Sequence, residues 1–130
     1  MEDRIFTLAE AQGLIPKLRS LLQEMTEPWN RIQELNPEIQ KARENAPFDG
    51  YSKSGVEYVE SVSQLMLLIH QIKEMGVLLK DANKGLCDFP YRRQDRIVYL
   101  CWQLGEDRIE YWHDIESGFA GRQPLDETDR

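Results

Sequence analysis

The side chains with the most chemistry to offer in this sequence are two histidines, two cysteines and an excess of carboxylates. His113 stands in Tyr111-Trp112-His113-Asp114-Ile115-Glu116, an imidazole followed closely by two carboxylates, and Asp88 interrupts the apolar run Leu86-Cys87-Asp88-Phe89. An imidazole and a carboxylate gathered in a partly apolar cleft suit general-base and ligand roles, because the surroundings set which of them holds a proton. Asp114, Glu116 and Glu10 are further carboxylates able to complete an oxygen-rich shell around a divalent metal. The alternative is structural: Asp88 caps a turn amide and His113 donates to a backbone carbonyl. His70, beside Leu68 and Ile69, reads as a helix-flank residue.

A second string, Gly118-Phe119-Ala120-Gly121-Arg122-Gln123-Pro124, points to different chemistry. Gly118 and Gly121 permit a backbone that aims amides at an anion, and Arg122 supplies a guanidinium for a phosphate or carboxylate. The string lacks the Lys-Ser/Thr ending of a phosphate-binding loop and does not lie between a strand and a helix, so it is not a nucleotide motif. Its plainer reading is a tail that lays Phe119 on an apolar surface and is fixed there by Arg122. Cys87 and Cys101 have no partner pair at metal-knuckle spacing, and two thiols among Phe89, Tyr99 and Trp112 read as reduced packing groups rather than a redox bridge.

These residues need elements to position them. Thr7 and Glu10 form a capping box, and Leu8, Ala11, Ile15, Leu18, Leu22, Met25, Trp29, Ile32 and Ile39 recur at spacings of three and four, which predicts a seam along one helix face. Pro16 and Pro28 predict kinks or restarts, since each lacks an amide donor. The Pro-, Gly- and Ser-bearing stretch 45–55 reads as a loop. A second helix follows, with Ser54 and Glu57 as a further capping box and Tyr58, Val62, Leu65, Ile69 and Ile72 as its seam, ending at Gly76. The period then shortens to two, predicting strands up to His113 separated by turns at 81–85, 92–96 and 105–108. Centring the hairpins on Gln94 and between Glu106 and Asp107 pairs Cys87 with Cys101, Asp88 with Leu100, Leu100 with His113 and Cys101 with Trp112. Asp88 and His113 then share one face with Leu86, Val98, Leu100, Trp102 and Tyr111, the face expected to pack on the helices. Cys87, Phe89, Tyr99, Cys101, Trp112 and Asp114 take the other.

The fold expected is α+β: two long antiparallel helices packed on a small antiparallel β-meander of three or four strands, with an irregular C-terminal tail. A single domain over 1–130 is expected, with the helical hairpin at about 7–75, the meander at about 77–113 and the tail at 114–130, disordered from about Asp126. At 130 residues the chain can bury a core of its own. Its formal charge of −7, without a basic block, excludes the phosphate backbone of nucleic acid and an anionic membrane surface as principal partners. No apolar run approaches the ~18 residues of a membrane span, and the acidic opening Met1-Glu2-Asp3-Arg4 is unlike a secretory signal, so a cytoplasmic protein is expected.

Four strings together carry a resemblance: Gly85-Leu86-Cys87-Asp88-Phe89-Pro90, Tyr99-Leu100-Cys101-Trp102-Gln103-Leu104-Gly105-Glu106, Tyr111-Trp112-His113, and Gly118 to Pro124. With the opening Phe6-Thr7-Leu8 and Ala11, the chain resembles the bacterial family of uncharacterised proteins known as domain of unknown function 2203. The resemblance implies that the Asp88, Trp102, His113 and Gly121-Arg122 segments belong to the family's pattern, and it assigns no activity to them.

Three functions from different classes remain. The first is a non-catalytic interaction or regulatory module that self-associates as a homo-dimer, since Trp29, Met66 and Leu68 exceed what one helix partner needs. The second is a metal-binding protein, conceivably a hydrolase, using His113 and Asp88 with Glu116, Asp114 or Glu10. The third is a small-anion binder at Gly118, Gly121 and Arg122. The small-molecule ligand itself is not legible in the residues.

Overall fold

The computed structural model describes residues 4–45 and 53–130, apart from the side chains at 38–40, 42–45 and 53. The architecture is α+β, and the chain divides into two compact units, residues 1–22 with 71–130 and residues 23–70.

The first unit holds the sheet. Five strands, β1 (Leu78–Asp81), β2 (Leu86–Arg93), β3 (Arg96–Gln103), β4 (Tyr111–His113) and β5 (Gln123–Pro124), form one antiparallel meander in chain order. One strand more than expected is present, because Gln123 and Pro124 return from the tail to pair with Trp112 and Tyr111. Helix α1 (Leu8–Glu24) enters this unit through the capping box read from the sequence: Thr7 Oγ1 accepts from the Glu10 amide at 3.0 Å, and Glu10 Oε1 accepts from the Thr7 amide at 2.8 Å. The helix continues through Pro16, so no break occurs there.

Pro90 lies in the middle of β2, and its tolerance has a local explanation. The last β1 pairing is Leu78 with Asp88, so at Pro90 strand β2 has passed beyond β1. The Pro90 carbonyl faces the N-terminal segment, accepting from the Phe6 amide at 2.8 Å. In a strand the N–H and C=O of one residue point the same way, so the missing donor lies on the Phe6 side and the β3 ladder loses nothing.

The register differs from the expected one at both hairpins. Asp88 pairs with Cys101 and Cys87 with Trp102, while Tyr99 pairs with His113 and Leu100 with Trp112. The first shift arises because the turn is Gln94-Asp95, two residues long, with Gln94 at the left-handed φ of 58°. The second arises in a turn closed on itself by Glu106, whose carboxylate accepts from the Gln103 amide and whose carbonyl accepts from Trp102 Nε1. The faces are therefore re-sorted. Cys87, Phe89, Val98, Leu100 and Trp102 are fully buried on the core face, with Phe6 set edge-on to Phe89 at 5.4 Å. Ala11, Ile15, Leu18, Ile72, Val77 and Ile109 are also buried in this unit, and Gln12 Oε1 accepts from the Ile109 amide. Asp88, Cys101, Tyr99, Tyr111 and His113 occupy the opposite face.

The tail is ordered where disorder was expected. Asp126 caps a short 3-10 turn over Glu127–Asp129, Arg93 pairs with Asp126 and Asp129, and the Tyr91 hydroxyl donates to Asp129. Charge pairing with β2, invisible to local sequence pattern, is the reason.

In the second unit the helical path restarts at Met25 as α2 (Thr26–Asn45). Pro28 falls in the first turn of α2, where an absent donor costs nothing. The seam changes phase there: Met25, Pro28 and Leu35 are buried, whereas Trp29, expected in the seam, is 36% exposed. Helix α3 (Lys53–Glu74) contributes the buried Leu65 and Leu68. Arg31 of α2 pairs with Glu34 and with Glu57 of α3. The expected loop over 45–55 and the seam residue Ile39 lie largely outside the described residues. Among the described residues no helix is long and apolar enough to cross a membrane.

Candidate metal centre

Three strands each bring one polar side chain to the same spot. Asp88 comes from the middle of β2, Cys101 from the residue directly opposite on β3, and His113 from the end of β4, paired with Tyr99 two residues before Cys101. A carboxylate oxygen, a thiol sulfur and an imidazole nitrogen from these residues all lie within 4.8 Å of one another, and all three residues are buried.

The hydrogen bonds fix the proton inventory. His113 Nδ1 lies 2.7 Å from the Asp114 carbonyl oxygen, and its Nε2 lies 3.0 Å from Asp88 Oδ2. A carbonyl only accepts, so Nδ1 carries a hydrogen. A bare Nε2 facing an ionised Asp88 would set two lone pairs against each other in a buried site. One more proton therefore sits between Nε2 and Oδ2, and the pair as a whole is uncharged. Asp88 Oδ1, equally buried, has no hydrogen-bond partner among the described residues. Burial, then the neighbouring Asp88 charge, pushes the Cys101 thiol up to about 11. Burial pushes Cys87, on the core face, up to about 12.

The surroundings hold the imidazole in place. The Tyr99 ring lies edge-on to His113 at 5.5 Å, with Lys80 Nζ 5.6 Å from the Tyr99 ring centre. The Asp114 carbonyl that accepts from His113 Nδ1 also accepts from the Ser117 amide and hydroxyl.

The other carboxylates read as ligands are placed elsewhere. Asp114 turns its side chain to Arg96 at 2.7 Å, and with Glu116, Ser117 and Ile115 it lines an open cleft of about 490 Å³. Glu10 is held below the usual carboxylate range by its hydrogen bonds with Thr7 and by Arg4 beside it. The glycine string forms a strap: Gly118 takes φ 63°, a 3-10 turn runs over Phe119–Gly121, and the Gly121 and Arg122 amides donate back to Gly118 and Phe119. A Cβ on Gly121 would stand 2.4 Å from the Ser117 Cβ, so the turn closes only with glycine there. Arg122 Nη2 donates to Glu106 Oε1 at 2.7 Å and to the Cys101 carbonyl at 3.3 Å, with its guanidinium between the rings of Tyr111 and Phe119.

Cys101 is the member that the sequence reading set on the wrong face. The signal that could have found it was turn length, since a two-residue turn at Gln94-Asp95 puts Cys101 opposite Asp88.

A single sulfur, nitrogen and oxygen donor in a buried cluster suits borderline divalent ions such as zinc or cobalt. Four-coordinate zinc spaces its ligand atoms roughly 3.3–3.6 Å apart, so a bound ion would draw together donors that lie within 4.8 Å of one another. Comparison with known proteins finds no matching curated protein and no matching solved structure. Residues 4–125 match the family described as uncharacterized conserved protein DUF2203, and this chain belongs to that family.

Proposed function

We propose that the protein binds a divalent transition metal through Asp88, Cys101 and His113. What carries this reading is the convergence of three different donor atoms within 4.8 Å in a buried site, with Asp88 Oδ1 left without a hydrogen-bond partner among the described residues. A buried acceptor left unpaired costs about 1–3 kcal/mol, so such an atom beside two other donors calls for a partner. A metal ligated by the Asp88 carboxylate would take the place of the proton shared by Oδ2 and Nε2 and supply the partner that Oδ1 lacks. Three protein donors leave a fourth position for solvent, the arrangement in which zinc activates water for hydrolysis. Elemental analysis of protein purified without chelator, with a Co²⁺ titration, tests the proposal. About one equivalent of metal, lost in Asp88→Ala, Cys101→Ser and His113→Ala, is the expected result. Absence of metal and of any melting shift with Zn²⁺ or Co²⁺ overturns it.

A second reading, self-association as a homo-dimer, is supported by one observation in the second unit. Val56, Val59, Met66 and Leu67 are 40, 63, 56 and 64% exposed and fall within one arc of α3 at helical spacing. Light scattering across a concentration series tests it: a dimer that Met66→Lys converts to monomer is expected, and a monomer at every concentration excludes it.

A further inference from the structure

Arg122 is a charged side chain beside the cluster that the metal reading leaves without a role. Its guanidinium stacks 4.2 Å over Tyr111, and Tyr111 is the residue paired directly with Cys101 across β3 and β4. The same group donates to the Cys101 carbonyl, so the guanidinium lies against Cys101 on the face that carries Asp88 and His113. Two contacts fix it there from the outside, Glu106 at 2.7 Å and the Phe119 ring at 4.6 Å. Its Nε is buried and has no acceptor in hydrogen-bond range among the described residues. The neighbourhood of Cys101 thus holds an unpaired donor on the Arg122 side and an unpaired acceptor on Asp88, a combination that two ordinary packing residues would not leave.

A thiol is a poor acceptor, whereas a metal-bound thiolate is a strong one and is commonly held by a second hydrogen bond that sets its orientation and donor strength. From this geometry we infer that Arg122 is the positioning residue of the Cys101 sulfur in the metal-loaded protein, donating from Nε to the bound thiolate. This rests on the metal reading above. It also gives the strap a purpose: the left-handed Gly118 and the tightly closed Gly121 bring the guanidinium in over the strand pair, and Glu106 and the two rings hold its plane. Lysine cannot replace it without loss, because a single ammonium cannot hold Glu106, the Cys101 carbonyl and the sulfur with one fixed fork.

The test is a Co²⁺ titration of wild type, Arg122→Lys and Arg122→Met, reading affinity against a chelator and the energy of the sulfur-to-cobalt charge-transfer band. Loss of a hydrogen bond to the thiolate raises the energy of the sulfur electrons, so the band moves to longer wavelength. Arg122→Met is expected to show that shift with about 10–100-fold weaker binding, and Arg122→Lys a smaller change in the same direction. A purely structural role for Arg122 leaves the band where it is, because folding defects change occupancy and not transition energy. If wild type takes up cobalt and both variants keep its band and affinity, the inference is overturned and the metal reading stands. If wild type takes up no cobalt, both fall. Should Arg122→Met fail to fold, Arg122→Lys alone decides: an unchanged band overturns the inference and a shifted band supports it.

Discussion

His113 and Asp88 share a proton across 3.0 Å, because the other imidazole nitrogen is already committed to the Asp114 carbonyl. A cation entering the cluster must displace that proton and the one on Cys101, whose thiol is held up at about 11. Metal loading should therefore release about two protons, and apparent affinity should rise by about tenfold per pH unit for each of them. Calorimetric titration in buffers of different ionisation enthalpy counts them; a release of none contradicts the cluster as the binding site.

The two partners of the pair respond differently to replacement. His113→Ala leaves a buried carboxyl group alone and should cost about 3–5 kcal/mol of stability. Asp88→Asn keeps the shape and puts an amide donor opposite Nε2, so no shared proton is needed and stability should change by less than about 1.5 kcal/mol. The Asn variant should still lose the metal. Urea unfolding of both, with metal analysis of the second, checks the contrast.

Alkaline pH should weaken the fold in a defined window. Cys87 at about 12 and Cys101 at about 11 hold their protons more tightly in the folded chain than at the ordinary value of 9.0. Tyr91, half-buried and donating to Asp129, is pushed from 10.0 up to about 12. All three contributions are complete below pH 9 and are lost as pH rises from about 9 towards 12. Melting temperature against pH should bend downward there, and both thiols should stay unreactive to a disulfide reagent at pH 8 until the chain unfolds. Rapid labelling of either thiol in the native protein contradicts this.

The C-terminal turn should be held by charge. Arg93→Met retains a side chain over the Trp112 ring but loses the bonds to Asp126 and Asp129, and should cost roughly 1.5–3 kcal/mol and raise amide exchange beyond Pro124. Asp126 is held below 3.8, chiefly by its bond from the Thr128 hydroxyl, so its share is present above that value and lost as pH falls below it. Unchanged exchange at the tail in Arg93→Met would show that something else holds it.

How much of this was legible follows from where each signal resides. The Thr7–Glu10 capping box and the seam from Ala11 to Met25 are local, involving residues three or four apart, and they hold in the structure. The phase change at Pro28 was not legible, because the proline that opens α2 is itself a buried residue and displaces Trp29 from the seam. The register shows a subtler effect. Each hairpin is offset by one residue from the symmetric reading, which swaps the faces of β3 relative to both neighbours. The two offsets add to a two-residue shift between β2 and β4, and because side chains alternate with period two, Asp88 and His113 share a face either way. What changes is the residue between them, Cys101 in place of Leu100. The tail was missed because its anchors, Tyr91 and Arg93, lie more than thirty residues away in sequence.

Pro90 and Phe6 have a consequence for association between molecules. A strand that outruns its neighbour offers a row of open donors and acceptors on which another chain can polymerise. On β2 that row begins just past Asp88. There the proline has deleted the donor, and the Phe6 amide has occupied the acceptor while its ring is buried against Phe89. The strand that carries the carboxylate of the site is therefore sealed against templating a foreign strand at its outer edge.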